Sequence, residues 1–281
     1  MNESSQKNDT RYLVGASIPG VPMVAVGRAD HMSWGITNPL TDVSDLYSET
    51  VNEMGTQYLL DGEWRDFKVV NHTIKVKGRA KPIDFELKYT HRGPVMDSQT
   101  IAHVQALFGP AQIPVHHESG PYTLQWAGNI PGETLFIMHE LMASSNNLLE
   151  FRDRIRKDCK KWMSVPASVV IADDSGNIGY ALLSPSPVRK NWYPYLGMNV
   201  IDGSTSKHDW EGITDLANLP LVVNPEKGYF ISANNRIVPE NSKYDFGAES
   251  ISTTRGLRIR EMIEEGIKSG KKFTAEDFIE M

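Results

Sequence analysis

Between residues 12 and 50 this sequence offers only short apolar runs cut by glycine and proline, a pattern that leaves room for strands and turns but for no long helix. Val24-Ala-Val-Gly27, Met32-Ser-Trp-Gly-Ile-Thr37 and Leu46-Tyr-Ser-Glu-Thr-Val51 each read as a strand. The segments 67–77 and 83–90 continue the pattern, and the second alternates apolar and polar residues strictly. With Gly78-Arg-Ala-Lys-Pro82 between them, they predict a β-hairpin with one face in water. Tyr122-Thr-Leu-Gln-Trp-Ala127 is a further strand. The segments 167–172 and 177–183, joined by Asp173-Asp-Ser-Gly176, predict a second hairpin, and Gly228-Tyr-Phe-Ile-Ser-Ala233 a short strand.

Helical spacing appears in two regions. Across 134–161 the apolar positions Ile137, Leu141, Leu148, Phe151 and Ile155 fall on one face, and Ser144-Ser-Asn-Asn147 predicts a break into two helices. Residues 254–268 predict a helix stopped by Gly270. Thr274-Ala-Glu-Asp277 is a near capping box, with Asp where Glu or Gln is usual, and it opens a last helix that reaches Met281 in barely two turns. So short a helix does not hold itself together, which predicts either a frayed end or a chain cut short. Residues 184–227 are rich in proline and glycine and read as irregular.

Composition narrows the function more than the fold. The 281 residues are 40% hydrophobic and 23% charged, ordinary for a globular protein, with material for one large domain or two small ones. The net charge of −6, from 35 acidic against 29 basic residues, lacks the basic surplus that nucleic acid or an anionic membrane would attract, so neither is expected as a partner. Cys159 is the only cysteine, so no intrachain disulfide forms, and it reads as an inert thiol at a helix end. Residues 1–11 are polar, expected to be disordered, and contain no apolar core of a secretory signal. No run approaches the roughly 18 apolar residues of a membrane span.

Several chemistries lack their motifs. There is no His-Glu-x-x-His pair and no Cys/His cluster for zinc, and the adjacent His116 and His117 read as a surface loop. No Walker-type or Gly-x-Gly-x-x-Gly loop is present, so no organic cofactor is expected. No Gly-x-Ser-x-Gly elbow appears either. Two segments are denser in unusual residues. In the stretch from Trp34 to Asp45, Asp42 and Asp45, with carbonyls near Ser44, offer hard oxygen ligands to calcium, although paired carboxylates in a turn also serve simply to form it. In Ile231-Ser-Ala-Asn-Asn235, a carboxamide aimed at a carbonyl oxygen is a way to stabilise an oxyanion, and an Asn pair is also a common turn.

Taken in order, these segments resemble the penicillin acylase (penicillin amidase) family, which includes the acylhomoserine-lactone and cephalosporin acylases. The resemblance is carried by Gly15-Ala-Ser-Ile-Pro-Gly-Val-Pro22, Trp34-Gly-Ile-Thr-Asn38 with the acidic turn through Glu49, and Thr90-His-Arg-Gly-Pro94. It continues through Ala172-Asp173 with Gly176-Asn-Ile-Gly-Tyr180, Asp209-Trp-Glu-Gly212, Asn224-Pro225, Ala233-Asn-Asn-Arg236 and Arg255 with Arg258-Ile259. It implies an α+β fold, the N-terminal-nucleophile hydrolase αββα sandwich of two antiparallel sheets between helical layers, here a single domain expected to be incomplete at both ends. It also implies hydrolysis of linear amides of penicillin or N-acyl type. In that family an N-terminal Ser attacks the amide carbonyl with its own α-amino group as base.

The family's oxyanion hole falls on Asn38 and Asn234 of this sequence, the Arg that holds the catalytic N-terminus falls on Arg255, and the ligands of calcium-binding members fall on Asp42 and Asp45, with Asp245 or Glu249 as further candidates. Two features depart from the family. The chain starts Met1-Asn-Glu without the nucleophile's context, which neither Ser4 nor Ser5 provides, and the short subunit that completes the pocket is missing. Ser168 and Ser184 stand where Asn and Gly are usual. The expectation is an acylase by family whose small-molecule amide chemistry needs groups outside this chain; the alternative is a non-catalytic pseudoenzyme or binding module that keeps the fold.

Overall fold

A computed structural model describes residues 12–20, 23–97, 99–101, 120–130, 135–158, 166–184, 186–189, 199–215, 218–235 and 254–281. Numbered in chain order, its main sheet has six strands, every neighbouring pair antiparallel, in the spatial order β1 (Leu13–Ser17), β2 (Val24–Ala29), β3 (Met32–Thr37), β11 (Ala167–Asp173), β12 (Ile178–Leu183), β16 (Leu221–Val223). A second sheet has the order β14 (Ile201–Asp202), β4 (Ser44–Ser48), β10 (Tyr122–Trp126), β9 (Val95–Met96). Its β14–β4 pair runs parallel, so the expectation of two purely antiparallel sheets is corrected there. Three two-stranded ribbons complete the strands: β5 (Gln57–Leu60) with β6 (Glu63–Asp66), β7 (Lys68–Ile74) with β8 (Ile83–Tyr89), and β13 (Pro187–Arg189) with β15 (Trp210–Ile213).

The register of the main sheet decides what each face carries. Val169 lies opposite Ile36 on one side and Ala181 on the other, and Ile171 opposite Trp34 and Gly179. Residues directly opposite share a face, so one face is a continuous apolar layer. Two helices, α1 (Leu135–Ser144) and α2 (Leu148–Asp158), cover it and contribute Leu141, Met142, Leu148, Phe151 and Ile155 to the core. The break predicted at 144–147 is where α2 is capped. The Asn147 carboxamide oxygen accepts from the Glu150 N–H at 2.9 Å, and Asp173 at the end of β11 accepts from the Leu148 N–H at 2.9 Å. Gly179 makes room for this helix: the Leu148 Cδ2 sits 2.7 Å from where a β-carbon would stand.

The other face carries Ser33, Gly35, Thr37, Ser168, Val170 and Tyr180, and it meets the 228–235 segment and α3 (Thr254–Lys268). That helix ends as expected at Gly270, whose φ of 73° lets Lys271 donate back to the Gly266 carbonyl at 2.9 Å. After it comes α4 (Ala275–Glu280), where Asp277 stands in for the usual Glu and accepts from the Thr274 N–H at 2.7 Å.

The segment expected to be a strand at 228–233 forms no ladder. Side chains tie it to the sheet instead, through the Thr37 and Ser232 hydroxyls at 2.6 Å. The expected β7–β8 hairpin forms, with Lys68 opposite Tyr89 through Ile74 opposite Ile83, but its apolar face is in water as well, with Ile74 49% and Ile83 39% exposed. Strand β1, the β5–β6 ribbon turned by Asp61-Gly62, and the short strands β13 to β16 were not anticipated. Residues 1–11 with Ser4 and Ser5, His116, His117, Cys159, Arg236, Asp245 and Glu249 lie outside the described residues. Among those described, no helix is long and apolar enough to cross a membrane.

Candidate active site

Three segments meet at the open face of the main sheet, beside the end of β3. Asn38 follows the last residue of β3, and its Oδ1 accepts from the Leu40 N–H at 2.9 Å, closing a turn in which Leu40 takes a φ of 54°. Asn234 ends the 228–235 segment with a φ of 59°, a left-handed conformation that Asn tolerates better than most residues. Arg255 stands in the first turn of α3.

Hydrogen bonds join the three directly. Asn234 Nδ2 donates to the Asn38 carbonyl at 2.8 Å, while Arg255 Nη2 donates to Asn234 Oδ1 at 2.8 Å and to the Ala233 carbonyl at 3.0 Å. Arg255 therefore fixes which way the carboxamide faces. A guanidinium has only donors, so the amide oxygen must turn toward it and the NH2 toward Asn38. One of the two amide N–H bonds is spent on the Asn38 carbonyl, and an NH2 carries a second. Asn234 is half-buried between exposed Asn38 and Arg255, so the cluster is open to a substrate. Two apolar-walled cavities, of about 490 and 440 Å³, lie on either side of Phe230 beneath α3, and the second reaches Asn235, the neighbour of Asn234.

The acidic turn is built around an arginine. Asp45 on β4 accepts from Arg189 through both oxygens, Nε to Oδ2 at 2.8 Å and Nη2 to Oδ1 at 3.1 Å, and Nη2 also donates to Asp42 Oδ2 at 2.8 Å. Trp210 Nε1 adds a bond to Asp45 Oδ2 at 2.5 Å. The side chains of Arg189 and Asp45 are 2% and 0% exposed. Calcium takes about 6–8 oxygens, and this donor set does not fit it: three of the four carboxylate oxygens accept from one guanidinium, a fixed positive charge against any added ion. No group of three or more His, Cys, Asp or Glu that could hold a metal occurs among the described residues.

A second buried charge cluster, centred on Arg92 of the Thr90-His-Arg-Gly-Pro94 motif, was not singled out from the sequence. Arg92 donates to Asp209 at 2.7 Å and to the carbonyls of Gly203 and Thr205 at 2.9 Å each, with its guanidinium 4.3 Å from the Tyr47 ring centre. Burial raises the Glu49 pKa beside it, against the Thr123 hydrogen bond and the Arg92 charge. Burial and the Arg92 charge lower that of His91, which meets Asp209 at 3.2 Å. Motif spacing names Arg92 and Asp209 separately. Nothing in the spacing pairs them across 117 positions.

Comparisons with known proteins bear on the family and the fold. The penicillin amidase family model matches residues 6–281. Acyl-homoserine lactone acylase QuiP of Pseudomonas fluorescens strain Pf0-1 is 26% identical over 254 residues, covering 90% of this chain and 28% of that protein. Penicillin acylase 2 proenzyme of Pseudomonas sp. strain SE83 is 24% identical over 233 residues, covering 82% of this chain and 27% of that protein. The chain thus spans under a third of the curated relatives it matches. A solved thermostable penicillin G acylase from Alcaligenes faecalis superposes with a TM-score of 0.64 over 89% of this chain and 44% of that one; at 21% identity this shows the fold.

Proposed function

The chain belongs to the penicillin amidase family, and from that premise we propose that it forms the carbonyl-polarising part of an amide hydrolase acting on linear N-acyl amides. The observation that carries the reading is the convergence of Asn38, Asn234 and Arg255 through bonds of 2.8 Å, from positions up to 217 apart in sequence. In the reaction a nucleophilic oxygen attacks the amide carbon and the carbonyl oxygen becomes an oxyanion. The second N–H of Asn234 faces that oxygen, and Arg255 keeps the carboxamide from flipping. Collapse of the intermediate expels the amine and leaves an acyl ester, which water hydrolyses to a carboxylic acid. The nucleophile of the family mechanism is an N-terminal Ser with its own α-amino group as base, and the three residues of this site act on the carbonyl that it attacks.

A second reading, a non-catalytic protein that keeps the fold, draws support from the Asn234 N–H already bonded to the Asn38 carbonyl. A hydrolysis screen on chromogenic phenylacetyl and long-chain acyl amides, with intact-mass detection of an acylated chain, separates the two. Turnover with an acylated species on the full-length protein supports the hydrolase. Absence of both there supports the non-catalytic reading.

A further inference from the structure

We propose that Arg189 is a built-in cation that fills the acidic turn in place of a metal ion. The turn from β3 to β4 carries Asn38 at its start and Asp42 and Asp45 at its end. Both carboxylates reach the same Nη2, at 2.8 and 3.1 Å, which places them close enough to repel strongly without a positive charge between them. Arg189 supplies that charge from β13, 147 positions away from Asp42.

The local strand geometry is arranged for this. Pro187 and Arg189 are buried and Val188 between them is exposed, the ordinary alternation of a strand, so Arg189 points inward; the register shift adds Glu211 on β15 and so sets Trp210 opposite Arg189. Arg189 pairs in register with Trp210, and both donate to the one Asp45 carboxylate. A planar guanidinium meets that carboxylate in a two-pronged arrangement that an ammonium cannot copy. The charges count the same way. Among the described residues, two carboxylates and one guanidinium leave a net −1, whereas a divalent ion added to them would give +1 and face the guanidinium at close range, so calcium would have to displace Arg189.

The test reads melting rather than turnover, so it stands apart from whether amides are hydrolysed. Wild type, Arg189→Met and Arg189→Lys are melted in excess calcium and in EDTA. The wild-type Tm is expected to be the same in both. Arg189→Met is expected to fall by roughly 6–10 °C, the cost of leaving a buried carboxylate unpaired, with Arg189→Lys in between. A wild-type Tm raised by calcium and lowered by EDTA, or an Arg189→Met variant that melts with wild type, overturns the proposal. If Arg189→Met does not fold, calcium titration of the wild type by calorimetry still decides: no heat of binding is expected, and micromolar affinity overturns it.

Discussion

At the scale of single residues, Arg255 is the clearest example of a side chain whose role rests on direction. Its bond to Asn234 Oδ1 selects one of two amide orientations that differ only by a flip. Removing the guanidinium in Arg255→Met is expected to let the carboxamide rotate. The separate proton resonances of the Asn234 side-chain amide should then move toward each other in a nuclear magnetic resonance spectrum. Unchanged resonances would show that something else holds the amide. Asp173 shows the same logic for charge. Burial pushes its pKa up, but hydrogen bonds from the Leu148 and Asn177 N–H groups outweigh this and hold it below the usual 3.8. A depressed pKa contributes stability that is present above the unfolded value and lost as pH falls through the folded one. Asp173→Asn should therefore lower Tm at neutral pH, and the gap to wild type should close as pH falls below 3.8. A gap independent of pH would contradict the assignment. The sequence made Asn38, Asn234 and Arg255 legible because each sits in a motif of fixed local pattern. The bond between Asp45 and Arg189 was not legible, because spacing says nothing about partners 144 positions apart.

At the scale of elements, periodicity identified the longer helices and hairpins and missed the shortest strands. The α1–α2 break, the β11–β12 hairpin and the end of α3 at Gly270 followed from capping, alternation and a left-handed glycine. Strands β13 to β16 are two to four residues long in proline-rich chain, too short for any period to show. The β7–β8 ribbon was legible as a hairpin but not in its exposure. Val70 faces Leu87, His72 faces Phe85 and Ile74 faces Ile83, an apolar stripe that sequence alone assigns to a core. The two kinds of apolar residue should respond differently to substitution. Leu148→Ala, at a fully buried position against Gly179, is expected to cost about 2–5 kcal/mol. Ile83→Ser on the ribbon is expected to change stability by no more than about 0.5 kcal/mol. Urea unfolding of the two variants checks the contrast, and a large loss from Ile83→Ser would mean that the stripe is covered in solution.

At the scale of the whole molecule, the main sheet separates a core face from the face that carries the candidate site. One face is closed by α1 and α2. The other carries the end of β3, the 228–235 segment and α3, and there the three polar residues meet. The fold was legible through a series of motifs spread along the chain, each weak and together in one order. Which face of the sheet carries them was not, because register and helix placement depend on contacts far apart in sequence. The central claim is that Asn234 stabilises charge that develops on an amide carbonyl, a contribution made in the transition state rather than in substrate binding. The deciding comparison is of kcat and KM for wild type and Asn234→Ala on a phenylacetyl amide, in the full-length protein. A fall in kcat of roughly 10²–10³-fold with KM little changed is expected. Equal kcat values, or a loss confined to KM, would contradict it.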